Sequence, residues 1–516
     1  MNDCQETSKS DSISSILTFL LPTLFILFKI HVFVAYNLRY VGSDDLIYWL
    51  MASDYAQGLV HEPFFYGQNY LLPIESWLSA PFVVLGVKPF GILSIVTNML
   101  ALLPFFFVGS YLEKQKFRCG FVLVFLVGLS LPLEYDLLMS QSRGFVGGLF
   151  CASLLFLLNI KQQFLGFWFG LISFFSLLIN PNAGFIPLFY FLHLWISKQL
   201  NRAFFIQVIP SSIIVGILYY QFKTFYIQNP TFLVNSMWGL NFSFPHFLKA
   251  LKNMDSYFRF VAPFVWGIPF LAPLSFLLTS LILLRKIKYS IPLLFVFLTI
   301  IFSLGIEKVS NGFESIFYPY SRMFVALPIL TGISLTWLLK RYQSNKIFLL
   351  LISIFGVLFF YLKTTKLETT IRAEVNSTKQ IPVSVKSIAE IKKDCKALKI
   401  IADSHKIDLI IVTPNGDLST PKSEFICYPC SFIEYDFPKT ILNVWDKRSI
   451  NFQYLMQVPQ KRILIYNFDK IWRNNISDID CSFLDDEQKL LLIKNNTFTV
   501  DQLSKKIGFK YKRHDY

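Results

Sequence analysis

Long apolar stretches separated by short polar breaks fill the chain from residue 13 to about 362. The first covers 13–36 and follows a polar segment, 1–12, that is expected to be a disordered tail. Further stretches fall at about 89–112, 119–138, 144–160, 164–180, 183–198, 203–222, 260–284, 289–306, 323–340 and 346–362. Each approaches the ~20 residues that carry a helix across ~30 Å of hydrocarbon. The pattern predicts about eleven transmembrane helices. The first stretch is longer than a signal-peptide core and lacks a strongly basic lead, so it reads as an uncleaved helix. Lys29 and His31 interrupt it. Two readings of Lys29 compete: snorkelling to a headgroup, or contact with a lipid-linked phosphate.

The pattern changes after Tyr361, where charged residues become frequent and long apolar runs stop. Residues 385–398 have helical spacing, while 407–412 and 462–466 are short apolar runs of the kind that form buried strands. Residues 366–516 are therefore expected to be a small soluble α/β domain, of ordinary domain size. The fold class is an all-α polytopic membrane protein with a C-terminal small α/β soluble domain. Its transmembrane domain covers 13–365 and includes a first outer loop, 37–88, with interfacial helical runs.

Charge orients the spans. The short breaks at 113–118, 161, 198–202, 285–288 and 340–346 all carry Lys or Arg. The alternate loops, 37–88, 133–143, 180–182, 223–259 and 307–322, carry Asp44, Asp45, Asp54, Glu62, Glu75, Glu134, Asp136, Asp255, Glu307 and Glu314. This is the positive-inside pattern. It predicts a multi-pass plasma (inner) membrane protein with a cytoplasmic N-terminus and an extracytoplasmic, or periplasmic, C-terminal domain. Composition agrees: 54% of residues are hydrophobic and 16% charged, against about 25% charged in soluble domains. Many of the basic residues behind the formal charge of +15 sit in these inner loops. No Gly-rich phosphate loop or zinc-knuckle spacing accompanies it, so nucleic acid is not expected as a partner. Of the seven cysteines, Cys395, Cys427, Cys430 and Cys481 lie in the C-terminal region. Outside the membrane they can pair as disulfides. Cys427 and Cys430 form a CxxC without a second pair or a His pair, which favours a disulfide or buried thiols over a metal site.

Candidate chemistry gathers in residues 42–90. Asp44 and Asp45 are adjacent and follow Ser43. One reading is structural: Ser43 caps a helix and both acids favour its positive end. The other is a general base that takes a proton from an acceptor hydroxyl. Adjacent helical residues point about 100° apart, so one acid acts and the other helps. Glu75 lies on a second amphipathic run, after the turn Tyr66-Gly67-Gln68-Asn69-Tyr70.

The chain resembles the GT-C glycosyltransferases, multispanning enzymes that use polyprenyl-phosphate sugars and include protein O-mannosyltransferases and the lipid A aminoarabinose transferase. The resemblance covers about 13–362. It rests on a first span followed by an outer loop with Asp44-Asp45, on Tyr66-Gly67-Gln68-Asn69-Tyr70 and 75–81, on Ser142-Arg143-Gly144-Phe145, on Asn180-Pro181 and on Tyr320-Ser321-Arg322-Met323-Phe324. It implies an inverting glycosyltransferase working on the outer face, in glycan or cell-envelope biosynthesis. The donor would be a polyprenyl-phosphate-linked sugar and the acceptor a glycan, lipid or protein hydroxyl. Asp44 or Asp45 would be the catalytic base, with Asp44 favoured. Glu75, Tyr66, Gln68, Glu134 and Asp136 would contact substrate, the last two alternatively marking a solvated helix end. Arg143 and Arg322 would hold the donor phosphate, because a guanidinium pairs with phosphate oxygens in a fork; membrane-interface anchoring is their structural alternative. No cofactor is required. A divalent metal stays open, since no carboxylate cluster at ligand spacing demands one. Two other functions compete. A transporter or flippase of lipid-linked glycans would show inverted repeats and charges at mid-membrane depth. A non-catalytic assembly protein would work through its C-terminal domain.

Overall fold

The computed structural model describes residues 3–117, 119–159, 163–229, 241–342, 345–378, 385–413, 429–434, 436–442 and 459–508. Cys427, and the inner-loop residues Arg118 and Lys161, lie outside the described residues. The chain is mostly helical and divides into two compact units. The first comprises 1–37, 94–220 and 237–374, the second 38–93, 221–236 and 375–516.

Helices α1 to α17 run in order as Asp3–Val32, Ser43–Ala56, Ile74–Val84, Pro89–Lys114, Gly120–Leu129, Leu133–Leu138, Phe145–Ser153, Leu165–Ile179, Phe185–Ile196, Arg202–Gln228, Phe244–Lys252, Met254–Phe258, Leu271–Ile282, Ile287–Ser303, Glu307–Ser310, Leu327–Leu338 and Lys346–Thr378. Four stretches are long and apolar enough to cross a membrane: Leu17–Asn37, Pro89–Lys114, Arg202–Gln228 and Lys346–Thr378. The remaining apolar helices are shorter, so a count of about eleven spans is not established by length. Turns break the apolar runs. The expected span at 119–138, for example, divides at Ser130–Pro132 into α5 and α6. Conversely, α17 does not stop where the composition changes. Its 33 residues measure roughly 50 Å at ~1.5 Å per residue, well beyond the hydrocarbon.

Small residues let helices of the first unit approach closely. A side chain at Gly166 would meet the Phe204 carbonyl oxygen at 2.2 Å, and one at Gly170 the Ser211 hydroxyl at 2.1 Å. This four-residue spacing of glycines lays α8 against α10, the usual means of packing helices where no water drives them together. His193 of α9 stacks on Tyr289 and Trp337, which also stack on each other at 4.5 Å, and it hydrogen-bonds the Lys288 carbonyl at 3.0 Å, a structural histidine.

The charges of the first unit are arranged against the expectation. Lys29 of α1 does not snorkel: it is buried and ion-pairs with Asp136 of α6 at 2.7 Å. Lys363 of α17, also buried, pairs with the second oxygen of Asp136. Asp136 is thus not a solvated helix end; it ties three helices together. Each ammonium also faces a ring, Lys29 over Phe25 and Lys363 over Phe28, which offsets part of the excess positive charge.

The second unit joins the first outer loop to the C-terminal region. Strand β1 (Tyr40–Gly42) pairs antiparallel with β2 (Val385–Ser387). A helix, α18 (Ile388–His405), follows β2, so the helical pattern read at 385–398 starts later and ends later. Val41, Leu46, Ile47 and Trp49 share one core with Ile388, Ile391, Cys395 and Leu398. The five-stranded sheet has the order β4-β3-β5-β7-β6, with β3 (Leu409–Val412), β4 (Lys439–Leu442), β5 (Ile463–Tyr466), β6 (Cys481–Phe483) and β7 (Leu490–Ile493). β3 lies parallel to β4 and β5; β7 is antiparallel to β5 and β6. The runs at 407–412 and 462–466 are therefore its buried central strands. Cys430 is bonded to Cys395 of α18, not to its CxxC neighbour.

Breaking a buried ion pair by removing one member costs about 3–5 kcal/mol. Asp136→Asn, which strips the counter-charge from two lysines, is expected to lower the thermal midpoint in detergent substantially. Lys29→Met leaves a one-to-one pair and should lower it less. Equal losses would show that the two lysines do not share Asp136.

Candidate functional site

In the second unit, β1 delivers the chain directly into α2. Asp44 and Asp45 fall in the first turn of α2, both half-buried. Asp45 accepts a hydrogen bond from the Gly42 N–H at 3.0 Å. It therefore satisfies one of the orphan donors of the helix start and sits at the positive end of its dipole. Ser43 is the first helical residue rather than the cap. The two acids sit side by side in the first turn of α2, and the bond from the Gly42 N–H engages Asp45 in capping.

The turn that follows is held from several sides. Gly67 takes a positive φ of 79°, and the Gln68 N–H returns to the Phe65 carbonyl at 2.9 Å. Leu71 also has a positive φ, 77°, a strained conformation for a branched side chain. The Gly67 N–H reaches Glu62, and Lys223 and Tyr226 at the end of α10 donate to the carbonyls of Asn69 and Gln68 at 2.8 and 2.9 Å. Tyr66 is fully buried and donates its hydroxyl to Asp54 at 2.8 Å. Glu75 is fully buried as well, in the first turn of α3, while Gln68 is half-buried. The structure thus places Tyr66 and Glu75 inside the loop's packing.

In the sequence Asp54 is one of several outer-loop carboxylates. It is buried and lies 3.5 Å from the Nε2 of His61. Burial pushes its carboxyl up from an ordinary 3.8 to about 6, against the opposing pull of the Tyr66 hydroxyl. Burial also lowers His61. Burial thus disfavours the charged form of both partners in this contact. Asp54 is ten residues past Asp44, and only the folded turn brings Tyr66 to it.

In the first unit, the two arginines singled out from the sequence meet. Arg322 lies in the turn Tyr320–Phe324, and Arg143 just ahead of α7. The Arg322 guanidinium stands 3.7 Å from the Tyr318 ring centre, and that of Arg143 stands 5.9 Å from it and 4.1 Å from the Phe317 ring. Both arginines are buried. The Phe313 N–H bonds the Tyr318 carbonyl, and the Tyr320 N–H returns to the Phe313 carbonyl. This closed loop also has Arg322 donating to the Pro319 carbonyl at 2.8 Å. Gly312 leaves room for it, since a side chain there would stand 2.8 Å from the guanidinium. Lys308 hydrogen-bonds Tyr318 as a third cation. Burial alone would raise the Tyr318 phenol, but Arg322, Lys308 and Arg143 together hold it below the usual tyrosine value. The sequence reading missed Lys308 and Tyr318. The density of cations and aromatics in 307–322 was the signal available.

Glu134 is half-buried at the start of α6, two residues from the buried Asp136. Among the described residues no group of three or more His, Cys, Asp or Glu side chains is placed to share a metal ion.

No family model matches this sequence, and no curated protein matches it. Solved structures do. ArnT from Cupriavidus metallidurans in the apo state aligns with a TM-score of 0.55, and the same protein bound to undecaprenyl phosphate with 0.52. Each is 10% identical, with 92% of this chain and 97% of that one covered. The chain has a GT-C fold. At so low an identity the likeness speaks for the architecture alone, and the GT-C fold extends past 362 into the C-terminal sheet region.

The raised Asp54 carboxyl has a stability consequence within this GT-C architecture. The folded state binds that proton more tightly than the unfolded chain, so its contribution is full below pH 3.8 and lost as pH rises through about 6. The thermal midpoint in detergent is expected to fall across that window, and Asp54→Asn to flatten the fall. Parallel pH profiles for the two proteins would remove Asp54 from the account.

Proposed function

We propose that this protein is a membrane glycosyltransferase. It moves a sugar from a polyprenyl-phosphate donor to an acceptor hydroxyl, with inversion, on the outer face of the plasma membrane. The observation that carries the reading is the convergence of Arg143, Arg322 and Lys308 on Tyr318 in a chain with a GT-C fold. Polyprenyl phosphate is an anion anchored in the bilayer, and buried guanidiniums pair with phosphate oxygens through forked, charge-assisted hydrogen bonds. The undecaprenyl phosphate bound in the ArnT structure supports a lipid phosphate as the ligand of such a fold.

In the proposed reaction the acceptor oxygen forms a bond to the anomeric carbon as the bond from that carbon to the phosphate oxygen breaks. The electron pair leaves with polyprenyl phosphate, whose growing negative charge the three cations offset. The hydroxyl proton passes to the carboxylate of Asp44. Attack opposite the leaving group inverts the anomeric centre. Asp45 keeps the helix start in place, and the half-buried Gln68 and Glu134 are the remaining sugar contacts. Tyr66 and Glu75 hold the loop.

Removing a general base typically loses 10²–10⁴ in rate. Asp44→Asn is expected to lose about that much transfer from a polyprenyl-phosphate sugar while remaining folded. Asp45→Ala should lose less and instead lower stability by ~1 kcal/mol, as other lost caps do. If both variants keep full activity across a donor panel, the base lies elsewhere. Arg322→Lys keeps a charge but removes the fork; it should weaken binding of polyprenyl phosphate about tenfold or more, consistent with charge-assisted bonds of ~1.5–3 kcal/mol. Unchanged binding would detach the arginine cluster from the donor.

A further inference from the structure

In the second unit, helix α3 is turned inside out. It buries Glu75, Ser76 and Ser79, while Leu78, Phe82 and, just past its end, Leu85 stand exposed. A helix facing water shows the reverse arrangement. The three exposed side chains are spaced by four and three residues and so share one side of the helix. The patch continues through the exposed Val87 to Pro89, where α4, a helix long enough to cross a membrane, begins. An apolar surface that runs into a membrane-crossing helix lies at the membrane boundary, where lipid covers it.

Positive charge rims this patch. Lys88 is exposed and stands at the positive end of the α4 dipole, an unfavourable place for a cation unless an anion meets it. Lys392 of α18 is 6.0 Å from the ring centre of Phe90, in the first turn of α4. Lys396 lies one turn further along α18 on the same side. Both are exposed. Lys88, Lys392 and Lys396 have no ion-pair partner among the described residues, whereas Lys386 and Lys399, before and after them in the chain, are paired with Asp394 and Asp403. These lysines are confined to one face of the five-stranded sheet. α18 shares a core with Ile410 and Val412 of β3. Leu409 and Ile411 of the same strand belong to a separate core with Trp472 and Ile476, and the exposed Lys470 lies on that far side.

We propose that α3 and these three lysines form a docking surface for anionic phospholipid headgroups. The apolar side chains enter the boundary between headgroups and acyl chains, and the ammonium groups meet lipid phosphates. Attraction to a negatively charged surface makes the contact select anionic over zwitterionic lipid. Because α18 shares a core with α2, the same contact holds the helix of Asp44 and Asp45 at the membrane surface. The proposal stands independently of the transferase reading.

Lysine acetylation, read by peptide mass spectrometry on the full chain in nanodiscs, tests it. One set of discs is phosphatidylcholine, the other equal parts phosphatidylcholine and phosphatidylglycerol. Lys88, Lys392 and Lys396 are expected to react about fivefold more slowly in the anionic discs, the size of one lysine's attraction to such a surface. Lys470 should react alike in both. High salt, which shortens the screening length, should restore the three rates. Lys88→Gln, Lys392→Gln and Lys396→Gln combined should also cut the enrichment of phosphatidylglycerol among lipids retained in native mass spectrometry by about fivefold or more. Lys470→Gln should leave that enrichment as it is. Equal rates in the two kinds of disc, equal slowing at Lys470, or an unchanged enrichment in the triple variant overturns the proposal. Slowing already present in detergent that deepens with protein concentration gives the face to a second copy of the chain and overturns it as well.

Discussion

Three residues of strand determine where the candidate base sits. Tyr40, Val41 and Gly42 pair with Ser387, Lys386 and Val385, and the next residues begin α2. Without this ladder, the polar start of the outer loop would have only the single Asp45 cap to define its direction. With it, the first turn of α2 is pinned to a strand that leads into α18 of the C-terminal region. The apolar face of α2 is then buried against α18, in a core that includes both Trp49 and Leu398. The C-terminal sheet is thus part of the outer loop's support, and the Cys395–Cys430 bond fastens the helix that carries the contact.

The charges divide by what surrounds them. Asp136 meets two lysines in a closed, ring-lined position, which suits a fixed tie between helices. Arg143, Arg322 and Lys308 instead gather on one phenol. Like charges brought together in a protein interior repel strongly when the local dielectric is low. An arrangement that holds three of them within reach of one ring is relieved by an anion. The two clusters thus differ in what they are built on, an acid in the first and a phenol in the second.

Much of this was readable from residue order, and the rest fails for identifiable reasons. The apolar runs gave the long helices, and 407–412 and 462–466 gave the central strands, because burial on both faces leaves an unbroken hydrophobic run. Asp44 and Asp45 were legible as the start of a helix. The difference between them was not, since it depends on the Gly42 N–H. Arg143 and Arg322 were each visible, but their meeting at Tyr318 depends on the loop closed by Phe313 and Tyr320. Lys29 stayed between snorkelling and a lipid phosphate because its partner, Asp136, is 107 residues away in the chain (136 − 29). Composition placed a boundary near 361, yet α17 continues to Thr378. A buried Lys363 with a counter-ion is compatible with a helix that a hydropathy window would end.

The same reasoning bears on why the outer loop is held so firmly. A base must present its carboxylate to a hydroxyl within hydrogen-bond reach, and small displacements are expensive in rate. Around Asp44 the chain uses a strand ladder, a cap from Asp45 and a hydrophobic core. Farther along, Tyr66, Glu62, Lys223 and Tyr226 fasten the turn at 66–70. Just after that turn Leu71 keeps an unfavourable backbone conformation, which persists only where surrounding contacts over-determine it. A loop serving solely as a connection would have no need of this. Rigidity concentrated around the half-buried pair Asp44 and Asp45 is the arrangement that the proposed proton transfer would require.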